Sequence, residues 1–375
     1  MARYRRFTKF FFVIFNSFVA IIFLLACLAP YLNPKKWWPI SLMGLGFAFI
    51  LITLIAFLLF WLIFKPRWML ISLVPIAIGY KSIMVFFGFH LSDKFDYNKP
   101  KDVLRIAHWN VARFVEWKRN NNKGSQTRMK MMDQIKEQNA DILSFQEFFS
   151  STDSIYYNNL KYVVKELGYP YYYFSFDNDG YKQWYGQVIF SKYPLIDTGL
   201  IRFPKPSLPE ALMHADIVFN GDTIRLYNTH LQSVQFQKED YQTIEDIKNT
   251  NEDGVKRSRG VASKLKRGVI NRAGQADIVR KEINKSPYPF ILTADFNDVP
   301  NSYTYFTIKN DDIQDAFLMT GLGVGRTFVN ISPTLRIDYI LTTKNFEIKQ
   351  FNRIIKNYSD HYMLVADVKM KKTGN

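Results

Sequence analysis

Three apolar blocks precede residue 90, Phe10 to Ala29, Pro39 to Phe64 and Trp68 to Phe89. Each is about the 20 residues a helix needs to cross a bilayer. In hydrocarbon every backbone amide must bond within its own segment, so blocks of this length have to be helical. Three transmembrane helices are therefore expected, over about residues 10–29, 39–64 and 68–89. Pro75 interrupts the third block and Lys81 lies inside it, a place from which a lysine can snorkel to the interface. Trp37, Trp38 and Trp68 stand at block ends, as an aromatic belt would.

Basic residues set the expected orientation. Arg3, Arg5, Arg6 and Lys9 precede the first block, Lys65 and Arg67 separate the second from the third, and only Lys35 and Lys36 fall in the other loop. The positive-inside rule places the amino terminus in the cytoplasm, and three crossings deliver the remainder to the outside. Were the first block a cleaved signal, as Leu24-Leu25-Ala26-Cys27 loosely suggests, the remainder would still end outside. Were the third block not a span, it would face the cytoplasm. The division expected is a membrane anchor over 1–94 and a second domain over 95–375. A multi-pass protein of the cytoplasmic membrane follows, with its second domain on the periplasmic or extracellular side and the bilayer as its partner. No obligate protein partner is inferred.

The formal charge of +16 invites a nucleic-acid reading until it is divided. Residues 1–99 hold eleven Lys/Arg against two Asp/Glu, a net of +9 that leaves +7 for the rest. The run from Lys256 to Arg272 alone carries seven basic residues and no acid. The charge is one local patch plus topology signals, and a dedicated basic binding surface is excluded. Cys27 is the single cysteine, so an intrachain disulfide and a cysteine metal site are excluded too.

Beyond residue 95 a series of apolar runs ends in polar side chains. Pro289 to Ala294 reads as a buried strand that stops at Asp295-Phe296-Asn297-Asp298, and alternation along a strand would put Asp295 and Asn297 on one face. Val103 to Val111 is a strand delivering Asn110. Ser125 caps a helix with Met129, Met132 and Ile135 on one face, and Ala140 to Gln146 is a strand ending at Glu147. A helix from about Ile155 to Leu167 precedes strands over Tyr169–Phe176 and Gly186–Tyr193. Ala211 to Phe219 and Thr223 to Thr229 form a hairpin about Asn220-Gly221, closed by His230. The polar stretch from Gln232 to about Gly268 is expected as a mobile loop with helical pieces, followed by an amphipathic helix over Arg272–Asn284. Leu335 to Leu341 and Ser359 to Val365 place Asp338, and Asp360 with His361, beside strands.

These residues are the parts a phosphoester hydrolysis needs: a divalent cation against developing charge, a base for water, and donors for phosphoryl oxygens. Glu147 is the best metal carboxylate and Asp360 a second or water-mediated one. Magnesium keeps several waters and takes few carboxylates, which suits so sparse a set. His361 is the best general base if a buried carboxylate fixes its tautomer, the role given to Asp338. Taken singly each has an ordinary explanation: Asn110 could cap a turn, His230 could sit satisfied at a sheet edge, and Asp338 could pair with Arg336. His90, His108 and His214 receive no role.

In sequence order, Asn110, Gln146-Glu147, Asn228-Thr229-His230-Leu231, Ala294-Asp295-Phe296-Asn297, Arg336-Ile337-Asp338-Tyr339 and Ser359-Asp360-His361 resemble the endonuclease/exonuclease/phosphatase superfamily, over about residues 102–370. The resemblance implies a four-layer α/β sandwich, two mostly antiparallel sheets packed face to face with helices outside, preceded here by the three transmembrane helices. It implies that Glu147 with Asn110 holds Mg²⁺, with Mn²⁺ as a substitute, and that Asp295 positions the attacking water. Asn297 and His230 would bind or protonate the phosphate, and Asp338 with His361 would act on the water. Asn228 is grouped with substrate binding, as are Lys256, Arg257 and Arg259 of the basic run. His230 in its Thr-His-Leu context resembles the pancreatic-type deoxyribonuclease and neutral sphingomyelinase branches more than the abasic-site endonuclease branch. Its carboxylate partner is not placed; Glu210 is a candidate by position alone.

The function expected is a membrane-anchored, divalent-metal-dependent phosphoesterase of phosphodiesterase or endonuclease type. Lipid phosphodiesterase or phosphatase action is the alternative, and a non-catalytic binding module a third. Substrate is correspondingly nucleic acid or phospholipid. The basic run could be a solvated face, a headgroup site or a polyanion track. Tyr171 to Phe174 and Trp184-Tyr185 could supply stacking surfaces, although sheet packing explains them as well.

Overall fold

The computed structural model describes residues 2–91, 94–120, 123, 126–204, 210–249 and 252–371. The chain divides into two compact units. One gathers residues 1–87, 234–273 and 298–307, and the other gathers 88–233, 274–297 and 308–375. The expected boundary at 94/95 thus meets an observed one at 87/88, and two later segments belong with the first unit.

In the first unit α1 (Ala2–Cys27) is followed by α2 (Pro34–Leu45) and α3 (Phe47–Phe64). The second apolar block is therefore two helices, parted at Gly46, and α2 carries Pro39 and a non-helical Trp37 within it. The third block is also broken: α4 (Leu70–Ile78) and α5 (Tyr80–Phe86) meet at Gly79 with a bend of 65°. A Cβ at Gly79 would lie 2.5 Å from the Phe23 ring and 2.8 Å from Cys27 Sγ, so only glycine lets the bend approach α1 this closely. Among the described residues two helices are long and apolar enough to span a membrane, Phe7–Cys27 and Phe47–Phe64, and the bent pair makes a third only if it crosses as one. Inside the bundle Ser72 Oγ donates to the buried Asn16 Oδ1 at 3.0 Å.

The stretch after residue 232, expected as a mobile loop, is helical: α8 (Lys238–Lys248) and α9 (Glu252–Ile283), the latter 32 residues long and absorbing the expected helix over 272–284. Buried Val261, Val269, Ala273, Ala276, Val279 and Ile283 recur at helical spacing, a period masked in the sequence by four glycines and the cations. Segment 298–307 includes the start of α10 (Tyr303–Ile308). Its Asn301 donates to Ala26 O at 3.0 Å, and Phe306 meets the Tyr31 ring edge-on at 5.7 Å.

The second unit opens with a two-residue strand, β1 (Gly88–Phe89), and continues with β2 (Leu104–Asn110), α6 (Thr127–Gln138), β3 (Ile142–Ser151), α7 (Asn159–Lys165), β4 (Tyr171–Phe174), β5 (Asp177–Gly180), β6 (Gln183–Ser191), β7 (Leu195–Arg202), β8 (Ala211–Phe219) and β9 (Asp222–His230). After α8 and α9 come β10 (Phe290–Asp295), β11 (Ile313–Asp315), α11 (Ala316–Thr320), β12 (Leu322–Gly323), β13 (Asp338–Thr343), β14 (Phe346–Ile354) and β15 (Met363–Met370). The expected cap Ser125 lies outside the described residues. β1 pairs with β12; the other strands form sheets ordered β11-β13-β10-β9-β8-β7 and β14-β15-β2-β3-β6-β4, with β5 also on β6.

Both large sheets are antiparallel except at one pairing each, β2 with β3 and β9 with β10. Their inner faces share one core that includes Leu104, Ile142 and Ile189 from one sheet and Met213, Leu226 and Ile291 from the other. Ser144 Oγ meets Thr293 Oγ1 across that interior at 2.6 Å. A second core lies on the outer face of the seven-stranded sheet, where Met131, Met132 and Ile135 of α6 and Val163 of α7 pack. This is the two-sheet α/β fold expected. A parallel pair ends both strands at the same edge, so the two exceptions bring four strand carboxyl ends to where chemistry is expected.

Candidate active site

Register places the first three groups in a row. Asp295, last in β10, is paired with His230, last in β9, and with Asp338, first in β13. In the facing sheet Asn110, last in β2, is opposite Gln146 of β3. One residue later the register slips between Phe145 and Phe148, and Glu147 takes φ +51° at this bulge. A bulge re-aims a side chain, and Glu147 turns to meet the Asn110 amide. Asn110 Nδ2 donates to Asp295 Oδ2 at 3.0 Å and to Glu147 Oε1 at 3.4 Å, while its Oδ1 accepts from Ala112 N at 3.1 Å.

His361 precedes β15. Its Nδ1 lies 2.9 Å from Asp338 Oδ2, and its Nε2 lies 3.7 Å from Asp295 Oδ2. Its position is set by Trp109, which donates Nε1–H to His361 O at 2.8 Å, and by a 5.0 Å contact with the Phe328 ring. Burial works against charge on His361, but the carboxylates of Asp338 and Asp295 outweigh it and raise its pKa well above the usual imidazole range. Burial also opposes ionisation of Asp338, yet His361 and His108 hold its carboxyl below the usual range. Asp295 is pushed the other way, by burial first and by the charge of Asp338 second. One carboxylate kept ionised beside one that is reluctant to ionise is the signature of a built site.

His230 Nε2 is 3.7 Å from the same Asp295 oxygen, so Asp295 is the carboxylate nearest to it among the described ion pairs. Glu210 shares a cleft with it instead. That cleft, of about 280 Å³, is lined by Glu147, His230, Glu210, Arg113, Asp179 and Tyr185 among others. The Arg113 guanidinium stacks on Tyr185 at 4.1 Å and on Trp117 at 4.7 Å, and pairs with Asp179 at 2.5 Å. It belongs to a left-handed run, Ala112 to Val115, that no sequence signal announced.

Asn297 does not continue the strand. β10 stops at Asp295, and Asn297 takes φ +52° with its backbone N–H on Asp295 Oδ1 at 2.9 Å and its side chain on Leu231 O at 3.1 Å. The shared face expected from alternation is replaced by an Asx turn. Asp360 is half-buried, with Ser359 Oγ 3.2 Å from its Oδ1. Asn228 is fully buried between the sheets, and donates to Phe145 O and Val188 O at 3.0 and 3.2 Å. Of the basic run, Arg257 pairs with Asp246 and Arg259 is exposed, both in the first unit; the side chain of Lys256 lies outside the described residues.

Among the described residues one group of three, Asp295, Asp338 and His361, offers ligand atoms all within 4.8 Å of one another. Asp338 and His361 already face each other through their nearest atoms. Glu147, which lines the cleft, and the buried Asp295 meet across a single amide as two oxygen donors. That set fits a hard divalent cation that retains water.

A family model described as Endonuclease/Exonuclease/phosphatase family matches residues 107–361, and a domain of unknown function (DUF8431) matches residues 8–86. No curated protein matches the chain. Among solved structures, a D. rerio TDP2 humanised by 14 mutations is similar with TM-score 0.50 and 16% identity, over 72% of this chain and 100% of that one. The human Nocturnin catalytic domain with bound sulfate gives 0.49 and 15%, over 72% and 94%. A Bacteroides thetaiotaomicron mannosyl-6-phosphatase gives 0.46 and 15%, over 71% and 99%.

Proposed function

The chain belongs to the endonuclease/exonuclease/phosphatase family, and from that premise we propose that it is a magnesium-dependent phosphodiesterase, held at the cytoplasmic membrane with its catalytic unit outside. The observation that carries the reading is the His361 imidazole, bound at Nδ1 to Asp338 and directed through Nε2 at the Asp295 to Glu147 edge. Glu147, with Asp295 beside it, would hold the ion; Asn110 orients both. When bound, the ion supplies charge neutralisation for the phosphoryl oxygens. Asp338 fixes the tautomer of His361 and steadies its cation, so Nε2 is the atom that exchanges a proton with water held at Asp295. His230, at the cleft wall, is placed to donate to a phosphoryl oxygen or to the leaving group.

A lipid phosphodiester is favoured as substrate over a polynucleotide by one observation. Arg257 and Lys264 of the basic run are paired with Asp246 and Asp240 in the first unit, which weakens the run as a polyanion track. The test is hydrolysis by the full chain in detergent, offered bis-p-nitrophenyl phosphate, a sphingomyelin-type lipid and plasmid DNA, with Mg²⁺ or chelator. Turnover of the first two that requires the metal, and is lowered about 10²–10⁴-fold in His361→Ala, is expected. Metal-dependent nicking of plasmid alone would reassign the substrate, and turnover unaffected by His361→Ala would overturn the mechanism.

A further inference from the structure

His108 is a buried imidazole that the hydrolytic scheme leaves unused. It is fully buried, its Nε2 lies 3.6 Å from Asp338 Oδ1, and its Nδ1 lies 3.3 Å from Gln146 Nε2. Asn228 decides what those distances mean. Its amide donates to two backbone carbonyls, Phe145 O and Val188 O, which cannot donate in return. Its orientation is thus fixed, and Oδ1 is left as an acceptor.

Gln146 approaches that oxygen at 2.5 Å and must present its NH₂ group there. The same nitrogen holds a second hydrogen, and it faces His108 Nδ1. Nδ1 then accepts, so the ring proton of neutral His108 sits on Nε2, toward Asp338. At 3.6 Å the contact is longer than a full hydrogen bond, yet in a buried, low-dielectric setting the N–H dipole still acts on the carboxylate.

We propose that His108 is a positioning residue, locked by Asn228 and Gln146 in the Nε2–H tautomer so that its N–H dipole faces Asp338 Oδ1 while His361 Nδ1 lies nearest Oδ2. This rests on the phosphodiesterase reading of the site. Backbone carbonyls of one sheet thereby reach, through Asn228, Gln146, His108 and Asp338, the group that sets which nitrogen of His361 is free to face Asp295. A histidine kept only for packing would have no fixed tautomer and no tie to turnover.

The first test is the ¹⁵N spectrum of the full chain in detergent, labelled at histidine. Five histidines give few resonances, and His108→Gln assigns the one that vanishes. A neutral ring protonated at Nε2 is expected, and Gln146→Glu, which replaces the donor with an acceptor, should move the proton to Nδ1. A wild-type His108 protonated at Nδ1, or doubly protonated, overturns the proposal.

The second test is kinetic. His108→Leu should lower kcat about 10–100-fold, the usual effect of losing an outer hydrogen-bond partner, with KM within about twofold. His108→Gln, able to accept from Gln146 and donate to Asp338, should recover most of that loss. Equal loss in both variants, or none in either, overturns the proposal. A wild-type chain that hydrolyses nothing defeats the function reading instead, and the spectrum still decides the tautomer.

Discussion

Asp295 Oδ2 is approached by one amide and two imidazoles, from Asn110 at 3.0 Å and from His230 and His361 at 3.7 Å each. Only the amide is at bonding distance, and the same amide reaches Glu147. Carboxylates gathered without a cation repel, so an ion that binds here stabilises the fold by mass action. At 100 times its Kd the gain is about 2.7 kcal/mol. A thermal unfolding series with Mg²⁺ should show that rise in the wild-type chain and none in Glu147→Gln, which keeps the shape and loses the charge. An equal rise in both would remove Glu147 from the ion. Asp295, Asp338 and His361 were legible because each ends or begins an apolar run; Glu147 was singled out as a strand end, but its strand bulges there and runs on to Ser151. His108 was not legible, and Asn228, grouped from the sequence with substrate binding, is instead buried between the sheets. Both sit inside strands, and a histidine within alternating apolar residues reads as packing until its partners from three other strands are known.

Among the elements, the hairpin of β8 and β9 was the clearest in sequence, because Asn220 and Gly221 take the positive φ values, 53° and 93°, that the tight turn needs. β14 was missed for the opposite reason. Phe346-Glu347-Ile348-Lys349 alternates, but the register shifts between Ile348 and Gln350, so the period is too short to read. The first half of α9 was misread as a loop with helical pieces because Gly254, Gly260 and Gly268 lower helix propensity among many cations. Gly254 has a packing reason: a Cβ there would lie 2.8 Å from Asp246 Cβ and Ile247 N of α8. Ala262 is exposed in the middle of α9, so a substitution there acts on the backbone alone. Ala262→Pro should cost about 3 kcal/mol in denaturant unfolding, as a proline in a helix interior does. A loop would absorb it without loss, and an unchanged unfolding midpoint would argue against a continuous helix in solution.

At the scale of the whole molecule, the number of crossings decides on which side the chemistry takes place. Arg3, Arg5, Arg6 and Lys9 at the start of α1, and Lys65 and Arg67 after α3, carry the cationic signal of one face, so two spans alone would return the chain to the cytoplasm. Everything then depends on Pro66–Phe86. Its mean composition is apolar enough to cross, but its 65° bend is equally the mark of a segment that enters and returns. Composition could not distinguish the two, because the bend depends on Gly79 lying against Phe23 of α1. The buried Ser72 to Asn16 hydrogen bond ties α4 to α1 within the bundle, which supports a crossing, since a polar pair at that depth is satisfied inside protein. In a Cys27→Ser background, Lys344→Cys marks the catalytic unit at an exposed turn and Ala2→Cys marks the amino terminus. A membrane-impermeant maleimide should label Lys344→Cys in intact cells and Ala2→Cys only after lysis. Labelling of both only after lysis would mean that Pro66–Phe86 turns back, that the catalytic unit faces the cytoplasm, and that its substrate has to be sought among cytoplasmic phosphodiesters.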